Sequence, residues 1–158
     1  MHPHRIALLQ AMPIFGAISA PTLEFLVGRA QPIRLPVGGW FFQQGDAASG
    51  MFVLEHGQVA ITRHWQGREV ALATLGTGDC FGEMALMDLH PRSASARAVL
   101  DCAAIEIRPD DLYALFEQDC AQFALIQMNM GREVCRRLRA TDDRLFSLQA
   151  SEGGPALA

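Results

Sequence analysis

Lysine is absent from this chain of 158 residues: all thirteen basic residues are arginine, a bias we assign to codon composition and not to function. Positive charge is scarce in total, because seventeen acidic residues leave a net charge of −4. A protein built to neutralise nucleic-acid phosphates needs a clustered basic surface, and this composition argues against one. No CxxC pair occurs. Cys80, Cys102, Cys120 and Cys135 lie far apart, and His2, His4, His56, His64 and His90 are scattered without ligand spacing. No metal site is expected from them. Three of the cysteines sit in apolar segments, where a free thiol behaves as a small hydrophobe, so the expectation is a reduced, cytoplasmic protein. Long apolar runs are missing too. The stretch Ile6–Leu23 carries no charge, but Gln10, Pro13, Gly16, Ser19 and Pro21 interrupt it too often for a spanning helix or a signal segment. There is no P-loop, nucleophile elbow or cleft-like carboxylate pair, so catalysis is not expected.

What is present suits one globular domain: half the residues are hydrophobic and 19% are charged. Residues 4–11 and 21–30 read as short helices, with Pro21 in a first turn and Leu23, Phe25 and Leu26 as a buried face. From Gln31 the texture changes to strand segments punctuated by glycine: PIRLP, WFFQQG, GMFVLEHG, QVAITRHW, REVALATLG, GDCFG, RSASARAVL and CAAIEIR. Turn residues recur about every eight to twelve positions, the pattern of an all-β barrel or jelly roll. Gly57 and Gly67 fall where tight turns need positive φ. Pro109 opens a helix with acids in its first turn. A longer helix follows from Asp119 to about Leu148, with apolar residues at Phe123, Ile126, Met130, Val134, Leu138, Leu145 and Leu148. Those steps of three, four and seven make a coiled-coil-like seam with Thr141 as a polar intruder. Glu133 and Arg137 are spaced for an ion pair, and the arginines from Arg132 to Arg144 read as a solvated face. The chain thus divides into N-terminal helices (1–30), a β-roll (31–108), C-terminal helices (109–148) and a flexible tail (149–158).

One stretch carries chemistry. Gly78-Asp79-Cys80-Phe81-Gly82-Glu83-Met84-Ala85-Leu86 is followed, after a short gap, by Pro91-Arg92-Ser93-Ala94. A glycine leading into a turn of helix formers leaves backbone N–H groups unpaired, as anion sites are built. Arg92 offers a planar fork for phosphate oxygens, and Ser93 and Ala94 are small enough to let a ligand approach the backbone. Glu83 only accepts, which beside a phosphate suits a sugar hydroxyl or a compensating arginine. The residues alone leave open a plain surface ion pair of Glu83 with Arg92 on a helix joining two strands.

The stretch FGEMALMDLHPRSASA closely resembles the phosphate-binding cassette of the cyclic-nucleotide-binding domain family, shared by bacterial catabolite activator proteins, regulatory subunits of cyclic-AMP-dependent kinase and cyclic-nucleotide-gated channels. The nine-residue step from Glu83 to Arg92 is similar to the kinase-type cassette, and the likeness runs over about residues 20–148, including the Arg136–Leu138 RRL element. The resemblance implies an eight-stranded double-stranded β-helix, or jelly roll, with a long C-terminal helix: mainly β, with flanking helices. It implies that Glu83 binds the ribose 2′-hydroxyl and Arg92 the cyclic phosphate, with backbone groups of Gly82, Met84, Ala85 and Ser93 completing the anion cradle and Ala94 beside them at the ligand. Arg137 matches an arginine that reaches back to the cassette glutamate, and Thr141 a threonine that meets the purine. At the next position, where the catabolite-activator branch has serine, this chain has Asp142. A threonine that merely fixes helix register remains open. The iron–sulfur branches carry clustered N-terminal cysteines that this chain lacks, and no haem ligand is identifiable.

The ligand expected from this resemblance is cyclic AMP, with cyclic GMP admitted because Ser93 can serve a guanine amino group. The expected output is movement of the long helix, hinged after Leu115–Phe116, read by a protein partner. A parallel homodimer through Met130, Val134, Leu138, Leu145 and Leu148 is expected, against the alternative that the stripe packs on its own roll. About ten residues follow the long helix, too few for a recognition helix, so direct DNA binding is not expected. The alternative function is a transcription regulator of the catabolite-activator family lacking, or truncated before, its helix-turn-helix domain.

Overall fold

The computed structural model describes residues 3–153. Two helices open the chain, α1 (Pro3–Gln10) and α2 (Ala20–Arg29), joined through a 3₁₀ turn at Pro13–Phe15. Ser19 caps α2: its hydroxyl accepts from the Thr22 amide at 3.3 Å, while Pro21 fills a first-turn position where no N–H is needed. Eight strands follow: β1 (Gln31–Leu35), β2 (Trp40–Phe42), β3 (Met51–His56), β4 (Gln58–Trp65), β5 (Arg68–Gly76), β6 (Cys80–Phe81), β7 (Ser95–Ala98) and β8 (Cys102–Ile107). A short helix, α3 (Met84–Asp88), lies between β6 and β7, and α4 (Pro109–Gln118) and α5 (Cys120–Ser151) close the chain. The strands form two antiparallel sheets ordered β1-β8-β3-β6 and β2-β7-β4-β5, the jelly roll expected from the sequence. Gly57 and Gly67 take positive φ at 110° and 75°. At Gly57 a Cβ would lie 2.5 Å from the Asp101 carbonyl, so the tight turn from β3 into β4 admits glycine alone.

The sheets face each other across one core and the helices cover a second. In β3 the four residues MFVL are all buried without alternation, because both faces of the strand are covered. Met51 and Val53 join Leu9, Phe15, Leu23, Leu26 and Leu115 beneath the helices, whereas Phe52 and Leu54 join Val59, Phe81, Ala96 and Ala104 between the sheets. The second layer is aromatic at one end, where Phe52 stacks on Phe81 at 5.3 Å and Phe41 meets both edge-on. In β4 a bulge between Ile61 and Thr62 interrupts the alternation of inward and outward residues. Beyond it the strand carries on to an exposed Trp65.

The C-terminal helices meet where the sequence places the start of the longer one and depart from expectation at two further points. The break between them lies at Asp119, and Leu115 and Phe116, named for the hinge, sit inside α4. Asp119 ends α4 by donating its amide to Leu115 O at 2.7 Å and caps α5 by accepting from the Gln122 amide at 3.1 Å. Next, Met130 is fully buried in its own roll with Ile126, so it is unavailable to a dimer seam. Asn129 pins the same turn, donating to Ile14 O at 3.2 Å and Gly16 O at 2.9 Å. The apolar stripe is exposed only further along, at Leu138, Leu145 and Leu148. Last, α5 runs through Ser151 and stops before Gly153, whose φ is +72°, so residues 149–151 are helix and not tail. Residues 154–158 of the expected tail lie outside the described residues. No described helix is long and apolar enough to cross a membrane.

Candidate functional site

A cavity of about 760 Å³ opens between the second sheet, the Gly78–Ala94 segment, α5 and the N-terminal turn near Pro13. Its size is ordinary for a small-ligand site. Every residue named from the sequence for the ligand lines it, from Gly82–Ala85 and Arg92–Ala94 to Arg137 and Thr141. Gly82 makes the geometry possible: with φ at +79° a Cβ there would sit 2.7 Å from Arg92 Nη1. The glycine therefore lets the arginine lie flat under the entry to α3. In that entry the first bonds run from Ala85 N to Gly82 O at 3.3 Å and from Leu86 N to Glu83 O at 3.0 Å. The Ala85 amide, expected free for the anion cradle, is thus engaged within its own turn.

Arg92 retains only 5% exposure. Its Nη1 donates to Gly82 O at 3.1 Å and its Nη2 to Ser49 Oγ at 3.0 Å and Gly50 O at 2.7 Å. Phe42 lies 4.1 Å from the guanidinium carbon, a cation–π contact that fixes the plane of the fork. Among the described residues Arg92 forms no ion pair, and its Nε has no hydrogen-bond partner. Burial lowers its pKa, and the charges of Glu106 and Asp46 oppose that shift, but a guanidinium stays charged at neutral pH. A desolvated cation held by carbonyls and a hydroxyl is costly until an anion meets it.

Glu83 is 1% exposed. Its Oε1 accepts from Arg137 Nη1 in a close ion pair reaching across from α5, and its Oε2 has no partner among the described residues. This excludes the simple surface pair with Arg92 that the sequence left open. The arginine that answers Glu83 lies 54 positions away, on the helix. Glu133 adds a second carboxylate, 3.8 Å from Arg137 Nε and bonded to both ends of Arg136. Cys80 lines the same cavity, and burial pushes its thiol up to about 11. No described cluster of three ligating side chains offers a metal site.

The helix wall of the cavity comprises Glu133, Arg136, Arg137, Ala140, Thr141 and Arg144. These step by three and four along one face, so arginines expected on a solvated surface partly face the ligand space. That periodicity was available in the sequence, but the absence of apolar residues on the face concealed it. Thr141 donates its hydroxyl to Arg137 O at 2.9 Å. Asp142 does not line the cavity. Opposite the helix, Ile61, Leu72, Ala73 and Leu75 from β4 and β5 supply an apolar wall. No sequence signal marked these as ligand-facing. The site therefore has a cationic pocket at Arg92, a carboxylate at Glu83 and a slot between an apolar sheet and a polar helix face.

Residues 32–119 match the family described as the cyclic nucleotide-binding domain. The Cyclic AMP receptor protein of Thermus thermophilus is 32% identical over 145 residues, which cover 91% of this chain and 65% of that protein. The crystal structure of Thermus thermophilus Catabolite Activator Protein is similar with a TM-score of 0.78 at 33% identity, covering 87% of this chain and 63% of that one. The N-terminal domain of a transcriptional regulator from Streptomyces coelicolor A3(2) gives a TM-score of 0.75 at 27% identity, covering 86% of this chain and 95% of that one. The chain thus spans slightly under two thirds of the Thermus receptor protein it matches.

Proposed function

The chain belongs to the cyclic nucleotide-binding domain family, and from that membership we propose that it senses a cyclic purine mononucleotide, preferring cyclic AMP and admitting cyclic GMP. The observation that carries the reading is Arg92: a buried guanidinium with no carboxylate, an unpartnered Nε and a fixed plane at the cavity wall. A cyclic phosphate supplies the missing negative charge. Beside it, the unpartnered Glu83 Oε2 suits the ribose 2′-hydroxyl as donor, and the slot between β4–β5 and α5 suits a flat base. Met84, Ala85, Ser93 and Ala94 complete the walls around the sugar-phosphate. The Thermus relative is a Cyclic AMP receptor protein, which favours cyclic AMP.

Binding is the function and α5 the output. Arg137 joins the cassette to the helix, so a ligand that engages Glu83 acts on helix position, which a protein partner or a second copy then reads. A second reading, a sensor portion of a catabolite-activator-type transcription regulator, is favoured by the match over 95% of the N-terminal domain of a transcriptional regulator from Streptomyces coelicolor.

Calorimetry with cyclic AMP, cyclic GMP and a cyclic dinucleotide tests the ligand class. Arg92→Leu should leave the fold intact and cost on the order of 3–5 kcal/mol of binding, roughly a hundred- to several-thousand-fold. Wild-type affinity in that variant would overturn the assignment.

A further inference from the structure

Three arginines line the helix wall of the cavity, and two of them are engaged. Arg136 is held by Glu133 through both Nε, at 3.2 Å, and Nη2. Arg137 is shared between Glu83 and Glu133. Arg144 makes no ion pair and donates no side-chain hydrogen bond among the described residues. It stands one turn beyond Ala140, whose small side chain leaves the wall open between Arg137 and Arg144. Thr141, between them on the same face, has spent its proton on Arg137 O, so towards a ligand its oxygen is an acceptor.

Donor and acceptor thus alternate along this wall, and so do the edges of the purines. Adenine presents the N7 acceptor beside the N6 amino donor, whereas guanine presents two adjacent acceptors, O6 and N7. An acceptor at Thr141 suits the adenine amino group. A free guanidinium fork suits the guanine pair and meets a donor where adenine carries its amino group. Along the helix Arg144 is about 4.5 Å beyond Thr141, within reach of its flexible stem. Resting on the reading of the site given above, we propose that Arg144 is a specificity-determining residue: it binds the O6/N7 edge of guanine and is what admits cyclic GMP beside cyclic AMP. Asp142, next to Thr141, does not line the cavity, so the next polar side chain beyond Thr141 on this wall is Arg144.

The test is calorimetry of wild type, Arg144→Ala and Arg144→Lys with cyclic AMP, cyclic GMP and cyclic IMP, the last keeping O6 and N7 but lacking the 2-amino group. Arg144→Ala should weaken cyclic GMP and cyclic IMP alike by about ten- to a hundred-fold while cyclic AMP stays within about threefold. Arg144→Lys, which keeps the charge but not the fork, should lose most of the same discrimination. Three results overturn the proposal: an unchanged ratio in Arg144→Ala, an equal loss for all three nucleotides, or full retention by lysine. A loss for cyclic GMP that spares cyclic IMP overturns it as well, because the contact would then lie at the 2-amino group, beside Ser93. Failure of the parent reading looks different, since wild type would then bind none of the three nucleotides.

Discussion

At the scale of single residues the cavity is defined by groups left incomplete. Glu83 is the clearest: one oxygen is held by Arg137 and the other, fully buried, has no partner. A buried carboxylate oxygen without a donor is costly, so a ribose hydroxyl there should gain about 1.5–3 kcal/mol. Calorimetry with 2′-deoxy cyclic AMP should accordingly show a roughly ten- to hundred-fold loss, absent in Glu83→Ala. Equal affinity for the deoxy ligand in wild type would leave Glu83 only its ion pair with Arg137. Cys80 makes a prediction of a different kind. Burial raises its thiol from the usual 9.0 to about 11, so the folded protein holds a proton that the unfolded chain releases first. The sign follows: nothing is lost below pH 9, and stability falls between pH 9 and 11, by about 2 kcal/mol. Denaturant titrations of wild type and Cys80→Ala across that window should diverge, with the wild type falling faster. Parallel curves would mean that the thiol is not desolvated. In the same protein the exposed Cys120 and Cys135 should be alkylated at pH 8 while Cys80 is spared.

At the scale of elements the long helix is two devices in one. Its first half belongs to the core, through Ile126 and Met130, with Asn129 tied to the N-terminal turn. Its second half carries Leu138, Leu145 and Leu148 in the open, an association liability for a monomer and the seam we propose for a homodimer. Two substitutions separate the halves. Met130→Ala should cost about 2–5 kcal/mol in chemical denaturation without changing the oligomer. Leu138→Glu should leave monomer stability nearly unchanged and shift sedimentation from dimer to monomer. A wild-type monomer in sedimentation would retire the seam. The division also shows what the sequence made legible. Strand-like segments marked all eight strands, and FGE and PRSA marked residues that meet around Arg92 in the cavity. The boundary inside α5 was not legible, because Met130 and Leu138 are equally apolar and only the covering partner tells them apart. The start of α5 at Asp119 was legible, because the long periodic segment opens there on a residue that can cap a helix. The arginine wall was hidden because charge on a helix face looks solvated until a second element closes over it.

At the scale of the whole molecule, the question is whether capture of a ligand moves anything. Arg92 and Glu83 sit in the roll, whereas Arg137, Thr141 and Arg144 sit on a helix whose far half extends beyond the helix-covered core. The Glu83–Arg137 ion pair bridges the two parts, so a ligand that engages Glu83 Oε2 polarises the contact holding α5. Thr141 adds a second coupling. It belongs to the cavity wall and, by its steps of three and four, to the stripe of Leu138, Leu145 and Leu148, so a base against it touches the edge of the proposed dimer seam. A ligand shifts such an equilibrium only by its differential affinity for the two helix arrangements. One further hydrogen bond plus burial of a base can supply about 1–3 kcal/mol, a roughly five- to hundred-fold bias. We therefore expect cyclic nucleotide to raise hydrogen-exchange protection in residues 82–94 and, together with it, along residues 130–145. Arg137→Ala should uncouple the two, keeping cassette protection and losing that of the helix. Protection confined to the cassette in wild type would make the protein a binder without a switch, and its role would then be to buffer the nucleotide instead of reporting it.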